Sequence, residues 1–196
     1  MTSKAEKTKQ YIIERAAPIF NEKGIAGTSV DDVLKAASVA KGCLYNHFED
    51  KAALSSDVAD YLLEKISSSV GAVISKADTA HGKILAYLEF SKNPFETPVN
   101  GGCPIFNLAV ESDDNNPKIR EKVKVAFEAS HKLFSSILKM GIKSGEYKES
   151  LNADEFAIKL YSSIEGTIVI CRVVNSNKPM LTLIKSLKKE LEEYLT

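Results

Sequence analysis

Residues 29–48, SVDDVLKAASVAKGCLYNHF, constrain the fold more than any other stretch of this chain. Ser29 and Asp32 form the Ser-x-x-Asp signature of a helix start, in which hydroxyl and carboxylate satisfy free backbone N–H groups. Val33, Leu34, Ala36 and Ala37 then make a small apolar face, and Leu44, Tyr45 and Phe48 follow at helical spacing. Ser38–Val39 is too brief a break to separate independent elements. Two short helices joined by a tight turn describe a helix-turn-helix, whose second helix can enter the major groove of DNA. A helical hairpin inside a core has the same periodicity, so spacing alone leaves both open.

Elsewhere the chain also reads as helix, with no repeats and no strand alternation. Ser3 and Glu6 open a first helix that buries Ile12, Ile13, Ala16, Ala17 and Phe20. Pro18 removes a backbone donor inside it and predicts a bend or absorption near its last turns, and Gly24 is placed to end it. Asp50 caps a long helix whose apolar positions run from Leu54 to Ile74. A shorter segment spans about 83–90, and SKNPFETPVNGGCP breaks regular structure. A brief helix covers 105–110, and ESDDNNP reads as a polar turn. Asn116 and Pro117 then start a long helix to about Ser144. Asn152 caps a helix to about Val174, and Pro179 starts a last one ending near Tyr194. The expected fold is all-α, with a three-helix helix-turn-helix domain over 1–50 and a larger helical domain over 51–196.

The chain's 196 residues suffice for a substantial core. Lys plus Arg equal Asp plus Glu at 26 each, and residues 1–51 carry eight basic against seven acidic residues. Any basic face for DNA is therefore local, drawn from Lys4, Lys7, Lys9, Lys35, Lys41 and Lys51. MTSKAEKTKQ lacks the apolar core of a signal peptide, and the run 168–174 is too short to span a bilayer. Three cysteines at unrelated spacings indicate neither a disulfide framework nor a zinc module. These features lead to the expectation of a reduced cytoplasmic protein with no membrane span, metal or cofactor.

Gly24, Thr28, Ser29, Lys41, Gly42, Leu44, Tyr45, His47, Phe48 and Lys51 choose between the two hairpin readings. This string resembles the N-terminal signature of TetR-type (tetracycline-repressor-type) bacterial regulators, over about Ile12 to Leu54. The resemblance implies a regulator whose partners are double-stranded operator DNA, a small-molecule effector and a second copy of the chain. It implies that Lys41 meets a phosphate or a guanine edge, that Gly42 lets the backbone approach DNA, and that Tyr45 and His47 contact phosphates. Thr28, Ser29 and Lys51 sit at helix starts, where N–H groups favour phosphate. Leu44 and Phe48 are assigned to core packing. Two positions depart from the commonest pattern. Ala40 stands where Ser is frequent, removing the usual N-cap of the recognition helix. Cys43 stands where Thr, Ser, Ala or Gly is usual, leaving base readout to Lys41 and Asn46.

The last two helices either close a monomer core or, as the resemblance implies, pair with the same helices of a second subunit. The expected interface is Ser162, Ser163, Gly166, Ile184, Leu187 and Leu191. The string GGCPIFNLAVE resembles a subset of these regulators, some of which respond to electrophiles. Cys103 is then a sensor candidate at a helix N-terminus, or else a small buried hydrophobe. A non-covalent effector pocket is expected from the aromatic residues Phe90, Phe106, Phe127, Phe134 and Tyr161, with Asn107, His131 and Glu165 as polar anchors. Two other classes stand against the repressor reading. One is a helical protein–protein adaptor without DNA binding. The other is a cysteine-dependent enzyme pairing Cys103 with His131 or His81, for which no orienting motif is present.

Overall fold

Six helices in this chain start where the sequence supplies a side-chain oxygen for the free N–H groups of a first turn. The computed structural model describes residues 3–196, and among them only helices and their connections occur, apart from one isolated bridge between Tyr147 and Leu195. The order is α1 (Lys4–Gly27), α2 (Val30–Ala37), α3 (Lys41–Tyr45), α4 (Lys51–Ile74), α5 (Ala80–Phe90), α6 (Pro104–Ser112), α7 (Pro117–Lys143), α8 (Ala153–Val174) and α9 (Lys178–Glu192). Ser3 with Glu6 and Ser29 with Asp32 form complete capping boxes. Asp50, Thr79, Asn116 and Asn152 accept from the first turns of α4, α5, α7 and α8.

The first helix runs through Pro18 and breaks at Gly24, the position expected to end it, where φ 77° and ψ 170° interrupt it before one more turn. Two other boundaries differ from the sequence expectation. Helix α5 begins at Ala80, three residues early, because Thr79 supplies a cap that apolar periodicity does not register. Helix α6 reaches Ser112, so Glu111 is helical rather than part of a polar turn.

The chain divides into two compact units. The first holds the residues up to Ile66 together with Pro98–Lys124; the second holds Ser67–Thr97 and Val125–Thr196. The first unit thus takes in more than residues 1–50: it includes the first part of α4, all of α6 and the start of α7. Its buried side chains include Ile12, Ala16, Ala17 and Phe20 of α1, Val33 and Ala37 of α2, Leu44, Phe48, Leu54, Val58 and Leu62, and Ile105, Leu108 and Val123. Two ion pairs hold α4 within this unit, Lys9 to Asp57 at 2.6 Å from α1 and Lys122 to Asp60 from α7.

The second unit has a core of Ile84, Tyr87, Leu88, Phe134, Leu138, Leu160, Ile164, Met180, Ile184, Leu187 and Leu191, drawn from α5, α7, α8 and α9. Among the described residues no helix is long and apolar enough to cross a membrane, and no cluster of His, Cys, Asp and Glu is placed to hold a metal ion.

Candidate nucleic-acid interface

The turn between α2 and α3 is three residues long and closes without glycine. Ser38 adopts the left-handed conformation (φ 52°, ψ 43°), and Val39 N–H donates back to the Leu34 carbonyl at 3.2 Å. Because Ser38 finishes α2, it cannot cap α3. Ala40 takes the N-cap position in extended conformation with no side-chain hydrogen bond. A helix of five residues does not hold itself in water. Here Leu44, fully buried, and Phe48, 2 % exposed, fasten it to the core, and the Lys9 ammonium lies 5.4 Å from the Phe48 ring centroid.

That anchoring decides what α3 shows to solvent. Lys41, Gly42, Tyr45 and Asn46 are exposed, and Cys43 and His47 are half-buried. Lys41 Nζ lies 6.0 Å from the Tyr45 ring centroid, one helical turn away, so the ammonium and the phenol share one face. Lys51, half-buried, opens α4. Two other cations of this unit are engaged within it, Lys9 with Asp57 at 2.6 Å and Lys23 with Asp32 at 3.0 Å.

Two residues expected at phosphates do different work. Thr28 is 1 % exposed, and its hydroxyl donates to the Gly24 carbonyl at 2.6 Å, bracing the end of α1. Its side chain has no area left for a ligand. The Ser29 hydroxyl accepts from Asp32 N–H at 3.1 Å and donates to the Asp32 carboxylate at 2.7 Å, so it serves the cap. The Ser29 hydroxyl and N–H, with Lys23 beside them, hold the Asp32 carboxyl far below the usual carboxylate range.

The residues expected around an effector fall in both units. Cys103, Phe106 and Asn107 belong to the first; Phe90, Phe127, His131, Phe134, Tyr161 and Glu165 belong to the second. Within the second unit Phe127 meets Tyr161 edge-to-face at 5.8 Å, and Phe134 lies 6.3 Å from Tyr161 and 4.4 Å from Tyr87. Glu165 is buried one turn beyond Tyr161. His131 Nε2 lies 3.2 Å from the Asp154 carbonyl. Phe90 instead lines a surface depression of about 430 Å³ with Val73, Lys76, Ala77, Ala86 and Glu89. The Asn107 amide is spent inside the first unit on Asn21 and Gly101. Cys103 is buried at the N-cap of α6.

Among the expected interface residues, Ile184, Leu187 and Leu191 fill the second unit's own core and offer no side-chain area to a partner. Their amphipathic spacing marked a buried face but not what buries it. Ser162 and Gly166 do lie on an open face of α8, where a Cβ added to Gly166 would meet nothing within 4 Å. Exposed Ile158, Val169, Ile170 and Val173 share that face at steps of three or four residues, Val173 being 80 % exposed. Sequence periodicity did not single them out, because α8 is apolar on more than one side. Asn21 and Glu111 were missed as well, since their partners are some eighty residues away and carry no local signal.

A three-residue turn, a core-anchored short helix and an outward cation–aromatic pair define a helix-turn-helix DNA-binding protein. Residues 12–58 match the family of bacterial regulatory proteins of the tetR type, and residues 80–187 match the tetracyclin repressor-like C-terminal domain. The chain belongs to the TetR family and is a DNA-binding transcriptional regulator. Among its relatives is the HTH-type transcriptional repressor DhaR of Mycobacterium sp. (strain GP1), 27 % identical over 88 % of this chain and 86 % of that protein. The crystal structure of a TetR-family transcriptional regulator from Cytophaga hutchinsonii superposes with a TM-score of 0.94 at 29 % identity, covering 100 % of this chain and 98 % of the other. A cysteine mutant of the TetR-family regulator CifR, in complex with a 26 bp double-strand operator, shares the fold with a TM-score of 0.78 at 18 % identity, over 92 % of this chain and 94 % of that one.

Proposed function

We propose that the protein is a cytoplasmic homodimer that represses transcription by occupying operator DNA and leaves it when a small effector binds. The observation that carries this reading is the outward face of α3, with Lys41, Gly42, Tyr45 and Asn46 exposed above the buried Leu44 and Phe48. Lys41 pairs with a phosphate or a guanine edge, and Asn46 suits an adenine edge. Tyr45 and His47 bind phosphates and set register, while Gly42 and the half-buried Cys43 let the backbone lie close to the groove. The start of α4, at Lys51, faces a further phosphate.

One helix of five residues spans few base pairs. Two copies related by a twofold axis read half-sites about 34–36 Å apart or a multiple of that. The α8 face of Ile158, Ser162, Gly166, Val169, Ile170 and Val173 supports that pairing, since small residues let two helices approach and the flanking aliphatic groups gain burial. The repressor among its relatives supports repression as the mode of control.

The effector contacts the half-buried aromatic pair Phe127 and Tyr161, behind which Phe134 and Glu165 are buried. An effector preferring the released form by about 1–3 kcal/mol lowers operator affinity roughly 5–150-fold. An electrophilic effector would act at Cys103 instead, and Cys103→Ser separates the two. His81 Nδ1 lies 3.2 Å from the Tyr147 hydroxyl and His131 Nε2 lies 3.2 Å from the Asp154 carbonyl; the reading is of a protein that acts by binding. Footprinting on the chain's own upstream intergenic DNA tests the reading. Two protected half-sites per dimer are expected; a single half-site occupied by a monomer overturns it.

A further inference from the structure

The polar groups that join α6 to α1 take no part in the DNA contacts above, yet they converge on the segment from which the helix-turn-helix starts. Asn21 is 4 % exposed. Its amide donates to the carbonyls of Asn100 at 2.8 Å and Gly102 at 3.2 Å. Its own side-chain oxygen and main-chain carbonyl accept from the Asn107 amide, each at 3.0 Å, and Asn107 also donates to the Gly101 carbonyl at 3.0 Å. Gly101 permits this approach: at φ 115°, a Cβ there would stand 2.6 Å from the Asn21 carbonyl oxygen.

One turn along α6, Glu111 makes the second half of the arrangement. Its two carboxylate oxygens accept from the N–H groups of Ile25 and Ala26, both at 2.6 Å. The Gly24 break leaves those donors at the start of a new turn, without the acceptors an unbroken helix would provide, and a carboxylate complements them. Only Gly27 and Thr28 separate Ala26 from Ser29, the cap of α2.

We propose that Glu111, supported by the Asn21–Asn107 pair, is a positioning residue for DNA reading: it fixes the 25–28 connection and thereby the presentation of α2 and α3. The proposal rests on the DNA-binding reading above. Because α3 depends wholly on tertiary contacts, loosening that connection costs ordered base contacts first. Phosphate contacts, which need only approximate placement, survive.

Full-length wild type, Glu111→Ala and Glu111→Gln are compared in two arms. The first is amide hydrogen exchange over residues 25–45 in the absence of DNA. The second is affinity for the upstream intergenic fragment and for scrambled DNA of equal length. Glu111→Ala is expected to speed exchange over 25–45 and to weaken binding of the upstream fragment about tenfold or more. Its affinity for scrambled DNA stays within about twofold of wild type, since that term comes from phosphate charge. Glu111→Gln, which keeps one acceptor oxygen, falls between. Unchanged exchange over 25–45, or equal losses on both DNAs with Gln no better than Ala, overturns the proposal. If the wild type itself shows no preference for the upstream fragment, the DNA-binding reading fails, and the exchange arm alone decides the role of Glu111. Should Glu111→Ala not fold, Asn107→Ala takes its place with the same expectations.

Discussion

Gly24 stands at φ 77° and ψ 170°, a combination open to glycine and to almost no other residue. A Cβ there would also lie 2.9 Å from both Glu111 carboxylate oxygens. Gly24→Ala is therefore expected to destabilise the protein by about 1–3 kcal/mol, read from urea unfolding. An unchanged midpoint would mean that the break carries no strain. Ala40 offers the opposite opportunity. It holds N-cap geometry without an acceptor, so Ala40→Ser should stabilise α3 by about 1 kcal/mol in the same assay. At this scale Ser29 and Asp32 were legible in the sequence, because a capping box is local. Thr28 was not: whether its hydroxyl faces solvent or the Gly24 carbonyl depends on how the chain turns after the break.

The same division between local and distant causes recurs in the helices. Eight of the nine helix starts among the described residues follow from a cap or a proline near the first turn in sequence. The start of α5 also depends on Glu146, whose carboxylate accepts from Ala80 N–H at 3.1 Å and His81 N–H at 3.0 Å across more than sixty residues, and no local pattern announces that. Burial works to raise the Glu146 pKa, but the His81 and Ala80 N–H groups outweigh it and hold the carboxyl below its ordinary value. Glu6 and Asp32, through their serine caps, and Asp154, through Ser135 and then Lys139, are lowered too. A carboxyl with a depressed folded pKa binds fewer protons folded than unfolded near pH 4. Its contribution is present above the unfolded pKa and is lost as pH falls through the folded one. Unfolding midpoints should thus hold steady from pH 7 to about 5 and decline below about pH 4. Asp32→Asn should flatten part of that acid limb, and an identical limb in the variant would remove Asp32 from the account.

For the molecule as a whole, the all-helical fold was legible because 3.6-residue periodicity persists through long segments. The reach of the DNA-reading unit to α6 was not, since the Asn21, Asn107 and Glu111 contacts that draw α6 in are long-range. Nor did periodicity distinguish a helix face buried by its own chain, as at Ile184, Leu187 and Leu191, from one left for a partner. The exposed α8 face makes a prediction at this scale: Val173→Asp should leave the chain folded, with unchanged helix content, yet shift the proposed dimer to monomer in sedimentation, weakening operator binding with it. A dimer unaffected by that charge would move the interface elsewhere.

The most direct test of the central claim is binding of the purified protein to its own upstream intergenic DNA and to scrambled DNA across a salt series, with the combined Lys41→Ala and Tyr45→Ala variant alongside. The predicted result is selective binding whose log affinity falls linearly with log salt, abolished in the variant while the dimer persists. Wild-type protein that binds neither DNA at low salt, or a double variant that binds as wild type does, would contradict the assignment of α3 as the DNA-reading element.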